Sequence, residues 1–223
     1  MFYSFYETFR VIVRILILKY RSVYLYLMRN PEVTKQLIVE KAISLFNTQG
    51  YRATSLSDIT KAAGITKGAI YGNFKNKDEV AEASFEYAIE VVMQEMKERI
   101  SAAATAPLKL KAIVNYHEEY IKSPPFSGGC PIINTSVEAD DNYPQLRSKA
   151  IRSVGIMKTS ITKILARGIR EGQIDASVNA EAIGMMIYTS IQGAIVLSKV
   201  EGDGQSYGVV KKYLHSLIDS ITV

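Results

Sequence analysis

The chain has 223 residues, enough for one large or two small domains around a buried core. Its one cysteine, Cys130, excludes an internal disulfide framework and fits a reducing cytoplasm, and two distant histidines, His117 and His215, exclude the usual zinc sites. Of the formal charge of +5, Arg10, Arg14, Lys19 and Arg21 against Glu7 give +3 to residues 1–27, leaving +2 for residues 28–223. Overall basicity is therefore weak evidence for a nucleic-acid partner, and the local pattern decides.

Residues 1–27 are rich in aromatic and β-branched residues, with Arg14 and Lys19 interrupting the apolar runs. Those runs fall far short of the roughly 20 residues of a spanning helix, and no small-residue cleavage site follows. The preferred reading is that translation starts at Met28. An incidental extension, or a basic amphipathic membrane-surface or partner contact, stays open beside it. After Met28 a helix is predicted over Thr34–Thr48, with Leu37, Ile38, Ala42, Leu45 and Phe46 on one face and Gly50 as its stop. Thr54 or Ser55 caps the next helix, with Asp58 favourable in its first turn.

The segment Ser57–Lys77, SDITKAAGITKGAIYGNFKNK, carries the most information. Leu56, Ile59, Ala62 and Ala63 give a first short helix its apolar stripe. Gly64 supplies a turn that a residue with a Cβ adopts only at a cost. Thr66 caps a second helix whose inner face is Ile65, Ala69, Ile70 and Phe74. Its other face carries Lys67, Gly68, Tyr71 and Asn73, with Lys75 and Lys77 next in the chain. This is a helix-turn-helix pattern, whose second helix enters the major groove of DNA. Tyr71, Lys75 and Lys77 are phosphate-contact candidates, because a phenol donates to a phosphate oxygen and ammonium groups replace counterions. Thr54 and Ser55 are further phosphate candidates, or simply caps. Thr66, Lys67, Gly68 and Asn73 are the base-reading candidates. For Gly68, close approach to the groove and tight packing between helices are both open.

The spaced blocks FNTQGYRATS (Phe46–Ser55), AAGITKGAIY (Ala62–Tyr71) and FKNKDEV (Phe74–Val80) closely resemble the DNA-binding signature of the TetR, or tetracycline repressor, family. The resemblance runs from about Thr34 to Val80 and carries Tyr71 and Lys77 over directly as phosphate contacts. Gly72 departs from the aromatic or polar residue of many relatives, so the operator sequence does not carry over. The resemblance implies an all-α fold. Residues 28–77 would form a three-helix DNA-binding domain and residues 78–223 a helical ligand-binding and dimerisation domain.

The remaining sequence agrees with such a fold. A long helix is predicted over Asp78–Ala102, with Val80, Ala83, Ser84, Tyr87, Val91 and Met96 inward. Others are predicted over Pro107–Lys122, Ile132–Ala139, Pro144–Arg170, Ala180–Val200 and Gln205–Ile221. SPPFSGGCP, Ser123–Pro131, must be a loop. Ala182–Ser198 contains no charged residue, so burial on more than one side is expected. The resemblance implies that the last two helices pair with their copies, and Ile183, Ile187, Ile191, Ala194, Val210, Leu214 and Leu217 are the candidates for that face. Tyr116, Tyr120, Phe126, Cys130, Asn134, Tyr143, Met157, Met185 and Tyr188 mix apolar and hydrogen-bonding character, as ligand pockets do, although residues of these types more often form plain core. Cys130 is either an inert buried thiol or a redox sensor.

No phosphate-binding loop, nucleophile motif or metal cluster is present, so no enzyme, metal or cofactor is expected. The expected protein is a cytoplasmic homodimeric repressor released from a palindromic operator by a small molecule. A DNA-binding activator, and a membrane-tethered adaptor using residues 1–27, are the alternatives.

Overall fold

A computed structural model describes residues 30–139 and 143–223. The readings made for residues 1–27 lie outside the described residues. Among those described there are nine α-helices and no strand; Ile174 and Thr222 form an isolated antiparallel bridge.

α1 (Pro31–Gln49), α2 (Leu56–Ala63) and α3 (Lys67–Tyr71) form the head. α1 begins three residues before the predicted start because Asn30 caps it, its Oδ1 accepting from the Glu32 N–H at 3.0 Å, with Pro31 as the first helical residue. Ile38, Val39, Ala42, Ile59, Ile70, Phe74 and Val80 bury a small shared core. Full burial of such aliphatic side chains is worth roughly 1.5–3 kcal/mol each, which orders helices too short to be stable alone.

α4 (Lys77–Ala102) runs from head to body. Its Val80 belongs to the head core, while Ala81, Phe85, Ile89, Val92 and Met96 belong to the body core. The predicted inward set is corrected in part: Ala83, Tyr87 and Val91 are only half-buried. The cause is that α4 is covered by α1 on one side and by other helices on another, so one helical stripe cannot describe its buried surface.

The body adds α5 (Ala106–Lys122), α6 (Pro131–Glu138), α7 (Pro144–Arg170), α8 (Ala180–Glu201) and α9 (Gln205–Ser220). Helix α8 is long and apolar enough to cross a membrane by length and composition. Ile187, Tyr188, Ile191, Ala194 and Ile195 bury one side of it in the body core. Its other side exposes Met185, Met186, Val196, Leu197 and Val200, and neighbouring α9 exposes Val209 and Tyr213.

This corrects part of the candidate dimer face. Ile187, Ile191, Ala194 and Leu214 are buried in the chain's own core, and Ile183, Val210 and Leu217 are half-buried against it. Both sides of α8 are apolar, so periodicity alone had no means of choosing the inner one.

Candidate DNA-reading surface and effector cavity

Local chemistry fixes the helix-turn-helix. Ser55 and Asp58 form a reciprocal capping box: Ser55 Oγ accepts from the Asp58 N–H at 3.2 Å, and the Asp58 carboxylate accepts from the Ser55 N–H at 2.8 Å. Hydrogen bonds from Ser55 hold the Asp58 pKa below its ordinary value. Gly64 ends α2 in the left-handed region at φ 65°. Thr66 Oγ1 then caps α3, accepting from the Ala69 N–H at 3.2 Å.

The outer face of α3 presents Thr66, Lys67, Gly68 and Tyr71 to solvent, with Tyr71 59% exposed, and Lys75 is exposed just beyond. A Cβ on Gly68 would meet only Thr66 Oγ1, at 3.7 Å, so neither its backbone nor packing within the chain demands glycine there. Ser55 is exposed as well as capping.

Three expected contacts are corrected. Thr54 is fully buried and its Oγ1 donates to the Gly50 carbonyl at 2.7 Å, so its hydroxyl serves the turn. Lys77 turns its ammonium inward, donating to the carbonyls of Tyr51 at 2.8 Å and Thr54 at 3.0 Å and lying 4.1 Å from the centre of the Tyr51 ring. Desolvation holds its pKa below the ordinary lysine value; it braces the loop before α2. Asn73 folds back, its amide donating to the Ala69 carbonyl at 2.8 Å.

The head meets the body through hydrogen bonds that the sequence did not announce. The Glu138 carboxylate, at the end of α6, accepts from the N–H groups of Tyr51 at 2.6 Å and Arg52 at 2.8 Å. Asn134 Nδ2 donates to Asn47 Oδ1 at 2.7 Å and to the Gly128 carbonyl at 2.9 Å. Asn47 Nδ2 in turn donates to the carbonyls of Gly129 at 2.6 Å and Ser127 at 2.9 Å. Lys199 of α8 donates to Asn134 Oδ1 at 2.8 Å, so α8 is one side chain away from the head. A cavity of about 30 Å³ beside this joint is lined by Phe46, Tyr51, Phe85, Asn134, Glu138 and Tyr143 among others.

The nine pocket candidates do not converge. Met157 and Tyr188 share an inner cavity of about 10 Å³ with Met96, Ile113, His117, Ser160, Ile161 and Ile191. Asn134 and Tyr143 belong to the head–body joint, where Tyr143 packs on Tyr51 with ring centres 4.2 Å apart. Phe126 packs with Ile43 and Ala88. Tyr120, its hydroxyl donating to the Gly129 carbonyl at 3.1 Å, lines a separate surface crevice of about 500 Å³ with Ile195 and Lys199, and Tyr116 is core, its hydroxyl donating to Glu95 at 3.1 Å. Met185 faces solvent, 44% exposed, and drops out of any pocket. Cys130 is half-buried, and burial pushes its thiol above its usual pKa, which disfavours the thiolate.

His117, passed over in the sequence, lines the inner cavity. Burial pushes its pKa down to about 4, so the ring is neutral near pH 7. The Ile113 carbonyl lies 2.8 Å from Nδ1 and can only accept. Nδ1 therefore carries the proton, and Nε2 is left as an acceptor.

Comparison with known proteins gives this geometry a family. Residues 38–84 match the profile "Bacterial regulatory proteins, tetR family", and residues 106–214 match "Tetracyclin repressor-like, C-terminal domain". A TetR transcriptional regulator from Chloroflexus aurantiacus is 30% identical, with a TM-score of 0.83, over 87% of this chain and 98% of that one. The chain belongs to the TetR family. A TetR-family regulator from Cytophaga hutchinsonii is 32% identical, with a TM-score of 0.79, over 86% of this chain and 96% of that one. The transcriptional repressor DhaR of Mycobacterium sp. strain GP1 is 26% identical over 168 residues, 75% of this chain and 83% of its own. As a TetR-family member the protein is a DNA-binding transcriptional regulator and not an enzyme.

Within the TetR architecture, sequence reasoning missed Glu138, Asn47, Lys199 and His117. The one local signal was the Gly128–Gly129 pair. Gly128 has φ 94°, and a Cβ there would lie 2.4 Å from the Asn47 carbonyl oxygen.

Proposed function

We propose that this TetR-family regulator is a cytoplasmic homodimeric repressor that leaves a palindromic operator when a small, largely apolar molecule occupies its body. The observation that carries the dimer is the exposed apolar band of Met185, Met186, Val196, Leu197 and Val200 on α8, continued by Val209 and Tyr213 on α9. Bands of this kind mark association surfaces, and two reading heads are what a palindromic site requires. The repressor sign follows the printed description of DhaR.

In this reading Lys67 and Thr66 meet base edges, and Gly68 lets α3 approach the groove. Ser55, Tyr71 and Lys75 hold the phosphate backbone. The effector occupies the cavity between α4, α5, α7 and α8, which is nearly closed at about 10 Å³. Met96 and Met157 line it, and unbranched thioether side chains repack easily. Opening it displaces α4, which reaches the head core through Val80, and α8, which reaches Asn134 through Lys199. The effector acts only through its difference in affinity for the DNA-competent and released states.

Pull-down and sequencing of genomic DNA with the purified full chain tests the reading. One enriched palindrome, with transcription of the neighbouring gene rising in a deletion strain, is expected. No enrichment at low salt from a folded dimer would sink it, and falling transcription would reverse the sign of regulation.

A further inference from the structure

The inner cavity has an outer extension with a different character. A surface crevice of about 230 Å³ is lined by Lys109, Lys163, Arg167 and Glu171, with Ile100 and Ile164 among its apolar walls. Ser160, half-buried, lines both spaces. The same helices supply both compartments. On α5, Lys109 lines the crevice, and Ile113 and His117, four and eight residues on, line the cavity. On α7, Lys163, Ile164 and Arg167 line the crevice, and Ile161 and Met157 line the cavity. On α4, Ile100 lines the crevice and Met96 the cavity. Residues three to four apart lie on one helical face, so the two spaces are successive stretches of one seam. Between Met157 and Arg167 the helix rises about 15 Å.

Polarity changes along that seam. The outer end has three cations and one carboxylate. Glu171 accepts from Arg167 Nε at 2.6 Å and from Gln173 at 3.1 Å. Among the described residues Lys109 and Lys163 form no ion pair. The inner end is formed by methionine, isoleucine and tyrosine, with one neutral histidine. A molecule that is apolar throughout would use only the inner end, and a small anion only the outer.

We propose that the effector is an anionic amphiphile, with a carboxylate or phosphate head in the Lys109–Lys163–Arg167 crevice and an aliphatic chain passing Ser160 into the Met96–Met157 cavity. This deepens the effector reading given above and rests on it. The cations neutralise the head at the protein surface, where it keeps part of its hydration, so no ion is buried unpaired. The chain replaces the closed cavity with apolar contact along the seam. The repacking of Met96 and Met157 separates α4 from α7, and that is the movement the head would register.

The test is calorimetric titration of the full chain, without DNA, using dodecanoate, dodecyl phosphate, dodecanol and inorganic phosphate, each amphiphile below its micelle concentration. Both anionic amphiphiles are expected to bind at least about tenfold more tightly than dodecanol, and inorganic phosphate not measurably. The tighter of the two identifies the head group. In a Lys163→Gln, Arg167→Gln variant the anions should lose about tenfold and dodecanol nothing. Both positions are exposed, so folding is spared. Equal binding of dodecanol and dodecanoate, indifference to the double variant, binding of phosphate alone, or binding of none of the four overturns the proposal. DNA enrichment is a separate measurement: its failure removes the operator reading and leaves the titration standing.

Discussion

The head carries its candidate reading groups outward on two short capped helices, whereas the body turns its chemistry inward on four long ones. From Ser55 to Lys75 every candidate contact lies in one stretch of two helices, the turn between them and the residues flanking them. The inner cavity of the body instead draws on residues from Met96 to Ile191. A surface built from neighbours in sequence is set by caps and a left-handed glycine. A space built from distant helices is set by which side of each helix the tertiary packing covers. Substitutions in the two regions should therefore fail in different ways.

The largest effect is expected where the regions depend on each other. Leu197→Arg places a charge on the exposed α8 band, which should yield a folded species near the 24.8 kDa chain mass in solution. Operator affinity should then drop by about 100-fold or more, because half-sites one helical turn apart are no longer held together. A variant that stays dimeric would move the interface elsewhere.

Next comes Gly128→Ala at the joint, which combines a positive φ with a Cβ 2.4 Å from a main-chain oxygen. Strain and clash together should cost about 3 kcal/mol in denaturant unfolding. A cost under about 1 kcal/mol would mean that the loop can re-form without its contact to Asn47.

Acid provides a comparable probe of the body. His117 has a pKa of about 4 in the fold against 6.5 for an ordinary histidine. Because the folded value is depressed, the unfolded chain takes up the proton first. Stability is complete above pH 6.5 and declines as pH falls from 6.5 towards 4, by on the order of 3 kcal/mol in total. His117→Leu should flatten that window relative to the parent, as followed by unfolding at several pH values. Parallel curves for the two proteins would remove the buried neutral ring from the account.

Smaller losses are expected in the head. Lys67→Ala and Tyr71→Ala should each weaken operator binding by about 1–3 kcal/mol with an unchanged melting temperature, because both side chains are exposed. The finest contrast is between two nearby lysines. Lys75→Gln should lower the slope of log affinity against log salt by about 1 and leave stability alone. Lys77→Gln should do the reverse, since its ammonium serves the Tyr51 and Thr54 carbonyls. If both variants shift the salt slope equally, Lys77 also reaches the phosphates.

The sequence was most legible where cause and effect are local. Ser55, Gly64 and Thr66 each act on partners within about one helical turn, and the breaks at Gly50 and at Ser123–Cys130 follow from residues with restricted or unusual backbones. It was less legible for direction. Helix α8 is apolar on both sides, so Ile187 and Met186 look alike in sequence although one is buried and the other exposed. Lys77 resembles Lys75 for the same reason: charge predicts exposure only until a folded loop offers two carbonyls. The pocket candidates scattered because a tyrosine or methionine suits a core, a joint and a cavity equally well.

The polar side of the head–body joint has a consequence for building hybrid proteins. Glu138 grips two peptide N–H groups, and Asn47 grips two peptide carbonyls across the gap. Apart from the Asn47–Asn134 pair, these bonds end on main-chain atoms, which every amino acid but proline supplies. A foreign reading head that retained an asparagine at position 47 and the turn at 50–52 would meet the same sockets. On its polar side the joint behaves as a standard coupling, and a head of new DNA specificity would have to match its apolar contacts, Val80 of α4 and Tyr143 against Tyr51.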